Sequence, residues 1–152
     1  VDTARSLTTT VLNPAPLRVR TPAFLCDQLV VLLLGVVPVL ATGVSVQELI
    51  EPGDLRRNVF ILLMGIAFVY HFLLEYWTGQ TVGKRLFGLV VVQDSGAALG
   101  ILGSLLRNAL RLIDGLGYWS VAVVVIVATG SGKRLGDYAG GTLVVRVGET
   151  DR

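Results

Sequence analysis

Charge is scarce in this chain: Asp, Glu, Lys and Arg make up 16% of its 152 residues, and the only lysines are Lys84 and Lys133. Globular domains in water carry about 25%, so much of this surface must face something other than water. Cysteine and histidine occur once each, as Cys26 and His71. A lone thiol excludes an intrachain disulfide and leaves the redox compartment open, and no Cys/His spacing for a metal exists. A single histidine offers no choice of catalytic triads, and no motif points to an enzyme or a cofactor. Strong positive charge is missing as well. Thirteen Lys and Arg against eleven Asp and Glu give a net charge of +2. The arginines lie in small groups between apolar blocks, a pattern of membrane topology and not of nucleic-acid binding.

What the chain has instead is apolar length: 53% of residues are hydrophobic and the mean hydropathy is +0.70. Two runs, 23–46 and 58–77, approach the roughly 20 residues that cross a hydrocarbon core about 30 Å thick. In the first, Thr21 reads as an N-cap and Pro22 as the first helical residue, with a kink expected at Pro38. Asp27 and Gln28 interrupt its apolar core, which argues against a cleaved signal peptide. Cys26 precedes an apolar stretch instead of following one, which disfavours a lipoprotein site. The second run ends in Tyr76 and Trp77, residues suited to a membrane interface.

A third apolar region, 101–129, reads either as one crossing or as two short helices bent at Gly115 and Gly117. With the N-terminus cytoplasmic, one crossing places seven Lys and Arg inside and six outside. A hairpin places nine inside and leaves only Arg56 and Arg57 outside, with Arg107 and Arg111 within the helix. Positive residues favour the cytoplasmic side, so the hairpin is expected. An internal echo agrees: "GKRLFGLVVVQ" resembles "GKRLGDYAGGTLVVRV", each a basic turn leading to a short β-branched run. A lone strand has no partner for its backbone groups, so the two runs, 89–92 and 143–147, are expected to pair. "LRVR", 17–20, is a candidate third strand.

The predicted fold is therefore an all-α transmembrane domain with two full spanning helices and a bent pair of short, re-entrant or interfacial helices. A small cytoplasmic β element completes it. The organisation reads as a cytoplasmic segment 1–20, a membrane domain 21–147 and a tail 148–152.

Four stretches in order, "RTPAFLCD", "GQTVGKRLFGLVVV", "LLRNALRLID" and "KRLGDYAGGTLVV", resemble the RDD family of small polytopic bacterial membrane proteins, named for one arginine and two aspartates. The resemblance assigns Arg20 and Asp27 to the first two letters and favours Asp137 over Asp114 for the third. Thr21-Pro22 after Arg20 departs from the family pattern. The resemblance implies a bacterial cytoplasmic (inner) membrane location, multi-pass, with both termini cytoplasmic. It also implies one of two roles: sodium/proton antiport, or service as an accessory subunit of a larger membrane assembly.

Ionisable groups inside lipid cost about 2.5 to 3.5 kcal/mol each on insertion scales and seek partners. The candidates for an ion-binding or charge network are Arg20, Asp27, His71, Glu75, Arg107, Arg111, Asp114 and Asp137. His71 and Glu75 are four apart on one helix face, and Arg107, Arg111 and Asp114 share another. Asp27, Glu75 and Asp114 against Arg107 and Arg111 leave about one formal negative charge, which a cation or a protonated His71 would fill. Two readings compete. In one, Asp27 and Glu75 bind a proton or monovalent cation while Arg111 tunes them; in the other, ion pairs simply hold short helices together.

The turns carrying Lys84, Arg85, Lys133 and Arg134 lack the Walker spacing and are expected to meet anionic lipid headgroups. Two function classes follow: a small cation/proton transporter, or a non-catalytic membrane scaffold or accessory subunit. The expected partners are membrane lipids, a monovalent cation or proton, and a second copy or another protein, a partner strand being accepted at the β edge.

Overall fold

The computed structural model describes residues 12–116, 124, 127–130 and 132–148, without the side chains of 114–116. Its elements are α1 (Leu17–Ala41), α2 (Val46–Ile50), α3 (Asp54–Thr78), α4 (Val82–Leu86), β1 (Leu89–Gln93), α5 (Ile101–Leu116), α6 (Leu135–Gly140) and β2 (Thr142–Arg146).

α1 and α3 are each 25 residues long, with mean hydropathies of 2.3 and 1.9, and both are long and apolar enough to cross a membrane. They are not core helices of a water-soluble globule, because only 22% and 17% of their apolar windows are buried. Each buries one narrow stripe at fourth-residue spacing: Ala23, Asp27, Val31 and Gly35 on α1, and Ala67, His71 and Glu75 on α3. Leucine, valine, isoleucine and phenylalanine dominate the exposed middle of both helices. They run antiparallel. Tyr70 touches Asp27, and a Cβ added at Gly35 would run into Leu63, so partners fall in reverse order along the two chains.

α1 starts at Leu17 with Pro16 as its N-cap, a turn earlier than Thr21-Pro22 predicts. "LRVR" is thus helix, not a third strand. Its first turn closes through Val19 and Arg20 N–H, which donate to the Pro16 carbonyl at 3.0 and 3.3 Å, and the Thr21 hydroxyl returns to the Leu17 carbonyl at 2.9 Å. α1 continues to Ala41 without a break at Pro38. α3 stops at Gly79, whose φ of +68° is the left-handed cap that glycine adopts freely. Gly79 then accepts Val91 N–H at 2.7 Å, which docks β1 against the helix end.

β1 and β2 pair antiparallel, Val92 opposite Leu143 and Leu89 opposite Arg146, as the echoing runs require. Neither edge of this pair is bare. Ala15 N–H donates to Val144 O at 2.8 Å on one side, and Gly79 together with the Val92–Ala98 bridge occupies the other. Leu89, Val91 and Val144 pack with Ala15 and Ala23, while Leu12 packs on Val92, Leu143 and Val145. Both ends of the described chain therefore meet at the end of the helix pair carrying Leu17 and Thr78.

α5 is built inside out. It buries Ser104, Arg107, Asn108 and Arg111, while Ile101, Leu102, Leu105, Leu106 and Ile113 are exposed. An amphipathic helix that turns its polar face to the protein and its leucines outward suits a lipid environment. α6 packs against it through glycines: a Cβ at Gly136 would lie 2.7 Å from the Arg107 carbonyl, and one at Gly140 2.9 Å from that of Gly103. Close backbone approach through small residues is how membrane helices associate. The second short helix of the expected hairpin falls in 117–131, which lies outside the described residues apart from 124 and 127–130.

Candidate functional site: a buried charge network

Glu75 is the hub. It has no exposed surface, and its two oxygens take four donors. Lys84 Nζ at 2.6 Å and Arg111 Nη2 at 3.2 Å reach Oε1; Arg107 Nε at 3.0 Å and Asn108 Nδ2 at 3.1 Å reach Oε2. An ionised carboxylate offers about four lone-pair sites, so Glu75 is saturated. The donors come from the α4 turn and from the polar face of α5, where residues 104, 107, 108 and 111 share one side at helical spacing. Asn108 is held in turn by Ser104 O at 2.9 Å, and its own oxygen accepts Arg111 Nε at 3.1 Å.

His71, one turn before Glu75, is fully buried. Its Nε2 lies 3.3 Å from Arg111 Nη1, while Nδ1 has no partner among the described residues. Since a guanidinium only donates, Nε2 is the acceptor and Nδ1 carries the proton.

Asp27 is organised differently. It accepts the hydroxyls of Tyr70 at 2.8 Å and Thr81 at 2.6 Å and the backbone N–H of Gly83 at 2.8 Å. Thr81 is also the N-cap of α4, accepting Lys84 N–H. Gly83 is required: a Cβ there would collide with the Ala23 carbonyl. Asp27 does not pair with Arg20, which crosses to Asp137 at 3.2 Å and to the Gly132 carbonyl. Asp137 also binds Arg107 and accepts Arg134 N–H at 3.1 Å, capping α6 from within its own basic turn. Arg107, bonded to Glu75, Asp137 and Thr142, is the bridge between the two carboxylate centres.

The structure thus brings together Arg20, Asp27, His71, Glu75, Arg107, Arg111 and Asp137. The Asp114 side chain lies outside the described residues. Of the four residues assigned to headgroups, Arg85 is exposed, and Lys133 pairs with Asp94 at 2.5 Å beneath the Tyr138 ring. Lys84 and Arg134 turn inward: both are 7% exposed and belong to the network. Lys84 turns inward because α4 caps on Thr81 and so aims the side chain at Glu75, nine residues back. Burial drives the Lys84 ammonium down to about 8, against the upward pull of Glu75 and with a further downward push from Arg111 and Arg107.

Tyr70, Thr81, Ser104, Asn108 and Thr142 were not nominated from sequence. Ser104 and Asn108 were findable, since they continue the Arg107/Arg111 face. Thr81 carried a helix-cap signal before "VGKRL". Thr142 carried none.

Among the described side chains, Arg20, Lys84, Arg107, Arg111 and Arg134 lie with Asp27, Glu75 and Asp137. The expected balance also counted Asp114, whose side chain lies outside the described residues.

Two exposed apolar helices, an inside-out third helix and a buried charged clasp define a helical membrane-type domain. Residues 14–141 match the RDD family, and the chain belongs to that family. No curated protein and no solved structure matches it.

Proposed function

We propose that this RDD chain is a non-catalytic membrane module, a scaffold or accessory subunit within a larger assembly. Its place is a bacterial cytoplasmic membrane, with both ends on the cytoplasmic side. The saturation of Glu75 carries this reading. A carboxylate that binds and releases a cation needs free lone pairs, and this one has all four sites filled, three of them by cationic side chains. Removing any partner from such a cluster leaves a buried charge uncompensated, so the network resists the cycling that transport requires. The placement of positive residues supports the orientation.

A test is sodium-gradient-driven proton flux in proteoliposomes of the purified chain, read with an internal pH dye. The expected result is flux no greater than in empty liposomes, together with copurification of a stable partner from the native membrane.

Cation/proton transport is a second reading, favoured by one observation. Asp27 is held by hydroxyls and one backbone N–H, with no ion pair to it among the described residues. Flux in the wild type that disappears in Asp27→Asn would establish transport and sink the module reading.

A further inference from the structure

The five buried cations converge on a cavity. It has a volume of about 250 Å³ and lies between the first turns of α1, α4, α5 and β2. At roughly 30 Å³ per water it has room for about eight waters. Arg20, Lys84, Arg107, Arg111 and Arg134 line it, and among the described residues the only acid in its wall is Asp27. Their side chains are 13%, 9%, 1%, 4% and 8% exposed, so the positive charge is fixed in the protein and is not a solvated face. The opposite wall is apolar, formed by Phe24, Leu25 and Leu89 among others. Exposed Thr21 and Leu25, the latter 59% exposed, mark where the cavity meets the α1 surface.

The cavity's depth follows from the helices. Residues 28–41 of α1 and 58–74 of α3 contain no Asp, Glu, Lys or Arg. At 1.5 Å per residue these stretches are roughly 20 and 25 Å long, against a hydrocarbon core about 30 Å thick. Asp27, Glu75 and the cations around them therefore lie toward the end of the helix pair that carries Leu17 and Thr78, near one edge of such a core. A recess at that depth with arginines on one side and aliphatic and aromatic walls on the other matches an amphiphile with an anionic head.

We propose that this cavity binds a phosphate-type anion, offered by an acidic phospholipid headgroup or as free phosphate. Guanidinium groups recognise such oxyanions through paired N–H donors, and four arginines and one lysine line this wall. The assignment goes beyond the module reading and does not rest on it, because a transporter and a scaffold would both carry such a site.

The test uses the full chain in phosphatidylcholine nanodiscs, with and without phosphatidylglycerol, and separately with millimolar inorganic phosphate. Lipid retention is read by native mass spectrometry and stability by thermal unfolding. Enrichment of phosphatidylglycerol at least tenfold over phosphatidylcholine, lost in Thr21→Glu and kept in Thr21→Gln, assigns the site to a headgroup. Thr21 is exposed at the cavity mouth, so both variants preserve the fold, and only the first sets a negative charge in the path. Stabilisation by inorganic phosphate without lipid enrichment, again lost in Thr21→Glu, supports the site with free phosphate as its source. No enrichment and no stabilisation overturns the proposal. Enrichment or stabilisation that survives Thr21→Glu places the anion elsewhere and overturns it equally.

Discussion

At Glu75, one carboxylate holds Lys84, Arg107 and Arg111 in place, and the arrangement is asymmetric: many cations depend on one anion. Removing one partner of a buried charge cluster costs about 3 to 5 kcal/mol, mostly from the charge left behind. Glu75→Gln takes a carboxylate away from three cations, of which Arg107 keeps Asp137, whereas Lys84→Gln leaves Glu75 with two arginines and Asn108. Thermal unfolding in nanodiscs should therefore show Glu75→Gln as the more damaging change by a wide margin, and equal losses would contradict the hub role. Lys84 itself titrates. Its folded value, about 8, lies below the ordinary 10.5, so between those pH values the unfolded chain binds more protons than the folded one. Stability attributable to Lys84 thus rises with pH through that window. The midpoint difference between wild type and Lys84→Gln should shift toward the wild type from pH 7 to pH 10. A difference that stays flat would mean the ammonium is not disfavoured by its surroundings.

Among the elements, those with a local signature were readable and those fixed by a distant contact were not. The paired strands followed from two β-branched runs, each behind a GKRL turn, and the two runs do pair, antiparallel. The start of α1 was misread because Thr21-Pro22 looks like a helix entry. What sets the true start is Pro16 together with Ala15, which is bonded to β2 across more than a hundred residues, and such a contact leaves no periodicity behind. The inward turn of Lys84 was hidden for the same reason. α4 is only five residues long, and it points Lys84 at Glu75 because Gly83 lets it lie against the α1 backbone at Ala23. Glycine in a helix normally costs up to about 1 kcal/mol relative to alanine. Here Gly83→Ala should reverse that sign and destabilise by about 1 to 3 kcal/mol, the usual cost of overpacking. Loss of the Gly83 N–H bond to Asp27 should accompany it. Unfolding midpoints of Gly83→Ala beside Gly65→Ala, which meets open space on α3, provide the measurement. Similar effects at the two sites would deny the close packing of α4 on α1.

For the whole molecule, the strand pairing and the helix pair jointly dictate sidedness. β1 follows α3 within eleven residues of Thr78, so it lies at the end of the helix pair opposite the α2 connection. β2 pairs with β1 along five residues and must share that end, whatever path the chain takes between Leu116 and Lys133. Gly53, at the start of α3, and Val147, just after β2, are therefore expected on opposite faces of the membrane. Cysteines at these two positions, introduced after Cys26→Ala, convert the arrangement into a labelling experiment. Gly53 has an extended φ of 169°, and Val147 is 58% exposed, so both accept the change, whereas Gly148 at φ +96° would be strained. A membrane-impermeant maleimide added to sealed cells should label Gly53→Cys and leave Val147→Cys unmodified until the membrane is opened. Labelling of both from one side would break the link between sheet pairing and topology, and with it the placement of the charged cavity in one headgroup layer.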